Sequence, residues 1–241
     1  MAWALASRLL AVASYQIKGM LRVITRLWYS DRTMTAQRKP NPLYTMRKVP
    51  SQARSKATIQ AILSSATRLL LSIGYDKAST NKIADLAGVS VGSLYEYFPG
   101  KEAIFAEVRR REDQRLFNLT MARPEPRSIK ELVRSHVAVY LEFVRSNLAL
   151  HAALINDVPQ FAVGQQELPF YREYVPWVTN FLHTHKAELR PAGDITQVAN
   201  FVSHVARATI DNYVLHAPDQ LTDRLIEDLL IDLLERFLLE P

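Results

Sequence analysis

The chain has 241 residues, 30 Lys+Arg against 24 Asp+Glu, 7 Gly, 12 Pro and no cysteine. That length supplies one domain or two unequal ones with a sizeable core. The missing cysteines exclude disulfide frameworks, thiolate catalysis and thiolate zinc sites, and so few glycines argue against an all-β chain studded with tight turns.

The net charge of +6 is unevenly spread. Residues 1–50 hold nine bases and one acid, whereas residues 116–241 hold eleven bases and sixteen acids. A polyanionic partner is therefore expected at the front of the chain. Residues 1–29 form an apolar-basic amphipathic run, with Lys18, Arg22 and Arg26 four apart and Ile17, Leu21, Ile24 and Trp28 on another face. Residues 30–50 are polar, punctuated by Pro40, Pro42 and Pro50, and read as an unstructured linker. Arg8 interrupts the early apolar run, which argues against a secretory signal. No stretch approaches about 18 uninterrupted apolar residues, so no membrane span is expected. The plain reading of residues 1–50 is an appendage, even upstream translation before a start at Met34 or Met46. Its rival is a membrane-surface anchor for a helical interaction protein.

From residue 51 the apolar period is helical. Ile59, Ile62, Leu63, Ala66, Leu69, Leu70 and Ile73 recur at i, i+3, i+4, i+7, and Gly74 is placed to end that helix. A short helix is expected over 80–87 with Ser79 as its N-cap, then a break at Gly88-Val89-Ser90, then a helix over 91–98 ended by Pro99-Gly100. Longer helices are expected over 101–121, 128–147, 148–157, 165–188, 194–216 and 221–239. Pro169 and Pro176 predict that the 165–188 helix is kinked or split. The fold class is all-α, with an N-terminal extension over 1–50, a small helical domain over 51–100 and a larger helical domain over 101–241.

The sharpest signal is residues 79–101, STNKIADLAGVSVGSLYEYFPGK. Two short helices flank a glycine where a positive φ is tolerated, and Ala84 is small where the helices would cross. This is helix-turn-helix grammar, in which the second helix offers its N-terminal end to the major groove of double-stranded DNA. That end carries Ser90, Val91, Gly92 and Ser93. Ser93 can hydrogen-bond a base edge and Val91 can meet a thymine methyl. Tyr95 and Tyr97 have hydroxyls able to reach phosphates, and Lys101 sets a cation beside free helix-terminal N–H groups.

The stretch RSKATIQAILSSATRLLLSIGYDKASTNKIADLAGVSVGSLYEYFPGKEAIF, residues 54–105, resembles the tetracycline-repressor (TetR) family of bacterial one-component regulators. The resemblance implies that the first helix, 57–73, supports the motif. It implies DNA contacts at Thr80, Asn81, Val91, Gly92, Ser93, Tyr95, Tyr97 and Lys101, with Arg54 and Thr58 near the start of the first helix. A cytoplasmic homodimer, joined by the last two helices and releasing a palindromic operator when a small molecule enters the C-terminal domain, is likewise implied. The leader of some fifty residues departs from the family's pattern.

Other patterns have plainer readings. Gly88-Val89-Ser90-Val91-Gly92 matches a hydrolase nucleophile elbow, but that chemistry needs a preceding strand and a parallel sheet, so no enzyme is expected. His183 and His185 stand two apart, which does not put both side chains on one helix face, so neither metal nor cofactor is expected. Aromatic residues in the acidic half mostly suit a core, and a subset around a hole would make an effector site. His136, Tyr140, His151, Tyr174, Trp177, Asn200 and His204 are the candidates. Finally, Leu221, Leu225, Leu229, Leu233 and Phe237 line one face of the last helix, while Ile226, Leu230, Leu234 and Leu238 add a second stripe. Ile195, Val198, Val202, Val205, Ala206 and Thr209 recur along the helix before it, and Ala199, Ala206 and Ala208 permit close approach. One stripe suits the chain's own core; the other suits a homodimer through residues 194–239, or a helix buried on both sides.

Overall fold

A computed structural model of the chain describes residues 44–48, 50–158, 168–190 and 193–239. The basic run 1–29, most of the 30–50 linker, Pro159, Phe161, Gly164 and Pro191 lie outside the described residues.

Among the described residues nine α-helices run α1 (Ala53–Lys77), α2 (Thr80–Ala87), α3 (Val91–Tyr97), α4 (Lys101–Met121), α5 (Ile129–Ser146), α6 (Leu148–Asn156), α7 (Val175–Thr184), α8 (Ile195–His216) and α9 (Arg224–Leu239). No strand occurs among the described residues. The expected 165–188 helix is split, with a π-helical turn at Phe170–Tyr174 leading into α7. Pro169 precedes that turn, and Pro176 sits in the first turn of α7, where its missing N–H costs no ladder bond.

Local chemistry sets the boundaries. Ser79 and Ser90 accept the N–H groups of Lys82 and Ser93, and Ser128 accepts that of Glu131. Gly88 closes α2 with φ +67° and ψ 31°, and Val89 N–H donates to the Ala84 carbonyl at 3.0 Å. A Cβ at Gly88 would meet nothing within 4 Å, so the glycine is there for its φ and not for space. Gly74, φ +78°, breaks α1 where the sequence places its end, and the chain resumes helically to Lys77.

Two cores form. The first gathers Ile59, Ile62 and Leu70 of α1, Ile83 of α2, Leu94 of α3 and Phe98, and it also takes Ile104 and Phe105 of α4 and Leu150 and Leu154 of α6. The second is built from α5, α7, α8 and α9 around Leu141, Leu182 and Ile210. The start of α4, beyond the expected domain boundary at residue 100, thus packs into the first core, while Leu116 further along packs against the second. Among the described residues, α1 is the one helix whose length and apolar content could cross a membrane, which the uninterrupted-run criterion missed; here its apolar face is the wall of the first core.

At the C-terminus, Leu221 departs from expectation. It lies in a 3-10 turn, Pro218–Thr222, and is 1% exposed, while α9 starts only at Arg224 after the Asp223 carboxylate accepts Leu225 N–H. Ile226, Leu230, Leu234 and Leu238 are buried, whereas Leu225, Leu229 and Leu233 stand 54–56% exposed beside Phe201 of α8 at 53%. The helix is therefore not buried on both sides within the subunit.

Candidate nucleic-acid interface and interior cavity

The α2–α3 pair is held from behind and open in front. Ile83, Ala84, Leu94 and Phe98 are buried, which leaves Asn81, Ser90, Val91, Gly92 and Tyr95 exposed, with Thr80 and Ser93 half-buried. The Thr80 and Tyr95 hydroxyls meet at 3.1 Å, fixing the Tyr95 ring across the start of α2. The Ser90 and Ser93 hydroxyls meet at 2.8 Å. Ser90 is thus a helix cap between two helices, not a nucleophile on a strand-to-helix elbow.

Gly92 has no structural reason to be glycine. Its φ is not positive, and an added Cβ would only touch the Ser90 hydroxyl at 3.8 Å, an ordinary contact. A glycine inside a helix costs about 0.5–1 kcal/mol relative to alanine. That cost is offset only if something must approach the backbone closely, as a base edge or phosphate does.

Other expected contact residues sit differently. Tyr97 packs against the first core. Arg54 is exposed, and Thr58 donates its hydroxyl to the Arg54 carbonyl at 3.0 Å. Lys101 does not offer a free cation: its ammonium donates to the carbonyls of Tyr75 (3.0 Å) and Asp76 (3.4 Å) and lies 4.3 Å over the Tyr75 ring. The end of α1, whose last carbonyls attract positive charge, has captured it. A residue not anticipated stands instead at the far end of α3. The Arg47 N–H donates to the Tyr97 carbonyl (2.8 Å) and its guanidinium to the Tyr95 carbonyl (2.9 Å). Chain preceding α1 is thereby tied to the reading helix.

A cavity of about 80 Å³ lies between α4, α5, α7, α8 and α9. Apolar side chains, leucines and valines with Phe117, Phe170, Ala206 and Ile210, make most of its wall, and polar side chains from Asp113 to Arg207 are set among them. His136 Nδ1 and the Tyr174 hydroxyl are 3.1 Å apart, and burial lowers the His136 pKa to about 4, so the ring is neutral. Arg207 donates to Asp113 Oδ1 at 2.8 Å, while Asp113 Oδ2 accepts the Phe170 N–H at 3.0 Å. Arg207 Nε lies 3.8 Å from Asp211, whose other oxygen accepts from Tyr140 at 2.5 Å and lies 3.0 Å from His151 Nε2. Burial alone would raise the Asp211 pKa, but the bonds and charges of His151, Arg207 and Tyr140 outweigh it and hold the carboxyl below its usual range.

Residues 62–108 match the model of bacterial regulatory proteins of the tetR family. The matched segment, about a fifth of the chain, resembles that family. The chain's fold is that of a tetR family transcription regulator from Shewanella sp. PV-4 (TM-score 0.60, 20% identical, 75% of this chain and 97% of that one). The flavonoid-responsive regulator FrrA is also similar (TM-score 0.55, 25% identical, 75% and 92% covered). In sequence, the nucleoid occlusion factor SlmA of Haemophilus ducreyi is 27% identical over 128 residues, 53% of this chain and 62% of that protein. The match thus spans under two thirds of that relative.

Of the residues nominated for an effector, His136, Tyr140 and Tyr174 line the cavity. Trp177 stands behind His136 with ring centroids 5.3 Å apart, and His151 stands behind Tyr140 at 3.3 Å. His204 Nδ1 donates to the Asn200 carbonyl (2.6 Å) and Asn200 to the Thr196 carbonyl (2.8 Å), both within α8. Those last four are not in the cavity wall. Sequence reading missed Asp113, Ser203 and Arg207 in the wall, and Asp211 behind it. One signal was available: Ser203, Arg207 and Asp211 recur every four residues, a polar stripe along α8. No cluster able to hold a metal ion occurs among the described residues.

Proposed function

We propose that this chain is a TetR-family homodimeric repressor of a palindromic operator, released when a small molecule enters the cavity. The reading rests on Gly92: a helix-weakening residue that the fold does not require, at the exposed end of α3, between capped serines and a fixed tyrosine. A surface built so is shaped for close backbone approach to DNA. The exposed stripe Leu225, Leu229 and Leu233 with Phe201 is the natural seam for a second copy, and a two-fold pair of α8–α9 hairpins would make a four-helix arrangement. Two reading helices so joined would meet half-sites about one helical turn apart or somewhat more.

Release follows if the effector binds one dimer shape better than the other, and only to the extent of that preference. The test is footprinting on DNA upstream of the coding region, with sedimentation of the same sample. A protected palindrome and a dimer that Leu229→Glu dissociates are expected. Protection by a monomer, or an unaltered dimer in Leu229→Glu, would refute the proposed arrangement.

A further inference from the structure

Ser203 is 5% exposed and faces the cavity, yet its hydroxyl has no hydrogen-bond partner among the described residues. A serine inside a helix ordinarily turns its hydroxyl back to the carbonyl one turn earlier, and a buried unpaired hydroxyl costs about 1–3 kcal/mol. One turn along α8, Arg207 also lines the cavity; its Nη2 is committed to Asp113, and its Nη1 is buried without a partner. Two idle donors thus stand one turn apart beside a space whose other walls are mainly apolar.

The charges nearby decide what kind of acceptor they suit. Arg207 already has carboxylate oxygens of Asp113 and Asp211 at 2.8 and 3.8 Å. Arg109, the other cation of the cluster, spends one guanidinium N–H on the Leu154 carbonyl at 3.1 Å. Two guanidinium groups and two carboxylates cancel, and His136 on the opposite wall is neutral. An anionic head would be a third negative charge in a space already balanced, and burying an unbalanced charge is expensive.

We infer that the cavity takes an uncharged, mainly apolar molecule with a single carbonyl-type acceptor, held by Ser203 Oγ–H and Arg207 Nη1–H. This rests on the cavity being the effector site and names the chemical class it admits. Both donors give hydrogen bonds to the same ligand oxygen, which has two lone pairs to receive them.

The test is calorimetric titration of the full chain with three molecules of similar shape: acetophenone, ethylbenzene and benzoate. Acetophenone should bind roughly tenfold more tightly than ethylbenzene, the value of one or two net hydrogen bonds. Benzoate should bind more weakly than acetophenone. In Ser203→Ala, which removes a buried unpaired hydroxyl and should fold at least as well, the preference for ketone over hydrocarbon should shrink several-fold. Equal affinity of ketone and hydrocarbon, or benzoate binding best, would overturn the inference and leave the cavity standing as a binding site. Binding by none of the three would overturn the cavity reading as well.

Discussion

The Asp113–Arg207 pair joins α4 to α8 across the cavity, with side chains 4% and 14% exposed. In a medium of effective dielectric near 20, unit charges 2.8 Å apart attract by about 6 kcal/mol, and at 3.8 Å by about 4 kcal/mol. Asp113→Ala therefore removes the nearer of two comparable attractions, and Asp211 retains part of the compensation. Breaking a buried pair from one side costs about 3–5 kcal/mol; the remaining carboxylate places this one at the lower end. The same variant orphans the Phe170 N–H, which adds about 1 kcal/mol or more. A total near ~4 kcal/mol is a large share of the ~5–15 kcal/mol that holds a domain together. Arg207→Met should cost about 3 kcal/mol, because it strands Asp113 with only the Phe170 N–H. The double variant strands neither charge beside the cavity and should cost about 2 kcal/mol less than the sum. Urea unfolding at pH 7 of wild type, both singles and the double measures all four corners. Singles below about 1 kcal/mol, or costs that add within about 0.5 kcal/mol, would refute the assignment of a buried, coupled pair.

Three further perturbations separate structure from recognition. Gly92→Ala should raise stability by about 0.4–1 kcal/mol, because the backbone there accepts a Cβ, and should weaken operator binding; anisotropy showing unchanged affinity would contradict close DNA approach. Lys101→Ala should lower thermal stability by about 1 kcal/mol through loss of the bonds to Tyr75 and Asp76, while the salt dependence of DNA binding stays as it was. A slope reduced by about one unit would return Lys101 to the phosphate contacts. His136, with a folded pKa about 4 against 6.5 unfolded, leaves only the unfolded chain binding a proton between those values. Its contribution is complete above pH 6.5 and is lost as pH falls toward 4, by at most about 3 kcal/mol. His136→Phe should flatten that part of the stability profile, and a profile parallel to wild type would refute the burial argument.

The reading head was legible because its signals are local. Ser79 and Gly88 specify a cap and a left-handed turn within ten residues, and the structure uses each as the spacing predicts; Ser90, expected in the break, also caps α3. Lys101 was less legible: its ammonium bonds the end of α1, some 25 residues earlier, which no local pattern announces. The cavity was harder still. Asp113 and Arg207 meet across 94 residues, and a search for aromatic rings and histidines favoured His151, Trp177 and His204, which support the wall without forming it. Leu221 was placed on the last helix by its spacing. The legible stop was Asp223, a capping residue directly before Arg224, but apolar period outweighed it in the sequence reading.

How the proposed effector could act is narrowed by the strength of what it meets. An uncharged acceptor cannot displace a carboxylate from a guanidinium 2.8 Å away, because charge-assisted bonds are roughly twice as strong as neutral ones. The Asp113–Arg207 bond should therefore survive binding, and Nη1 is the group left to offer. The coupling must then come from volume: about 80 Å³ is far below the roughly 300 Å³ of a typical ligand pocket, so an effector has to push its walls apart. The wall formed by α4 cannot yield independently of the reading head. Ala103, Ile104 and Phe105 at its start are fully buried against the first core, and Arg111 at its middle donates to Gln60 of α1 at 3.0 Å. From Lys101 to Asp113 is twelve residues, or about 18 Å of continuous helix. Displacement at the cavity end would tilt that rod about its packed start and carry α1–α3 with it, so in the proposed dimer the spacing of the two reading heads is what an effector should change.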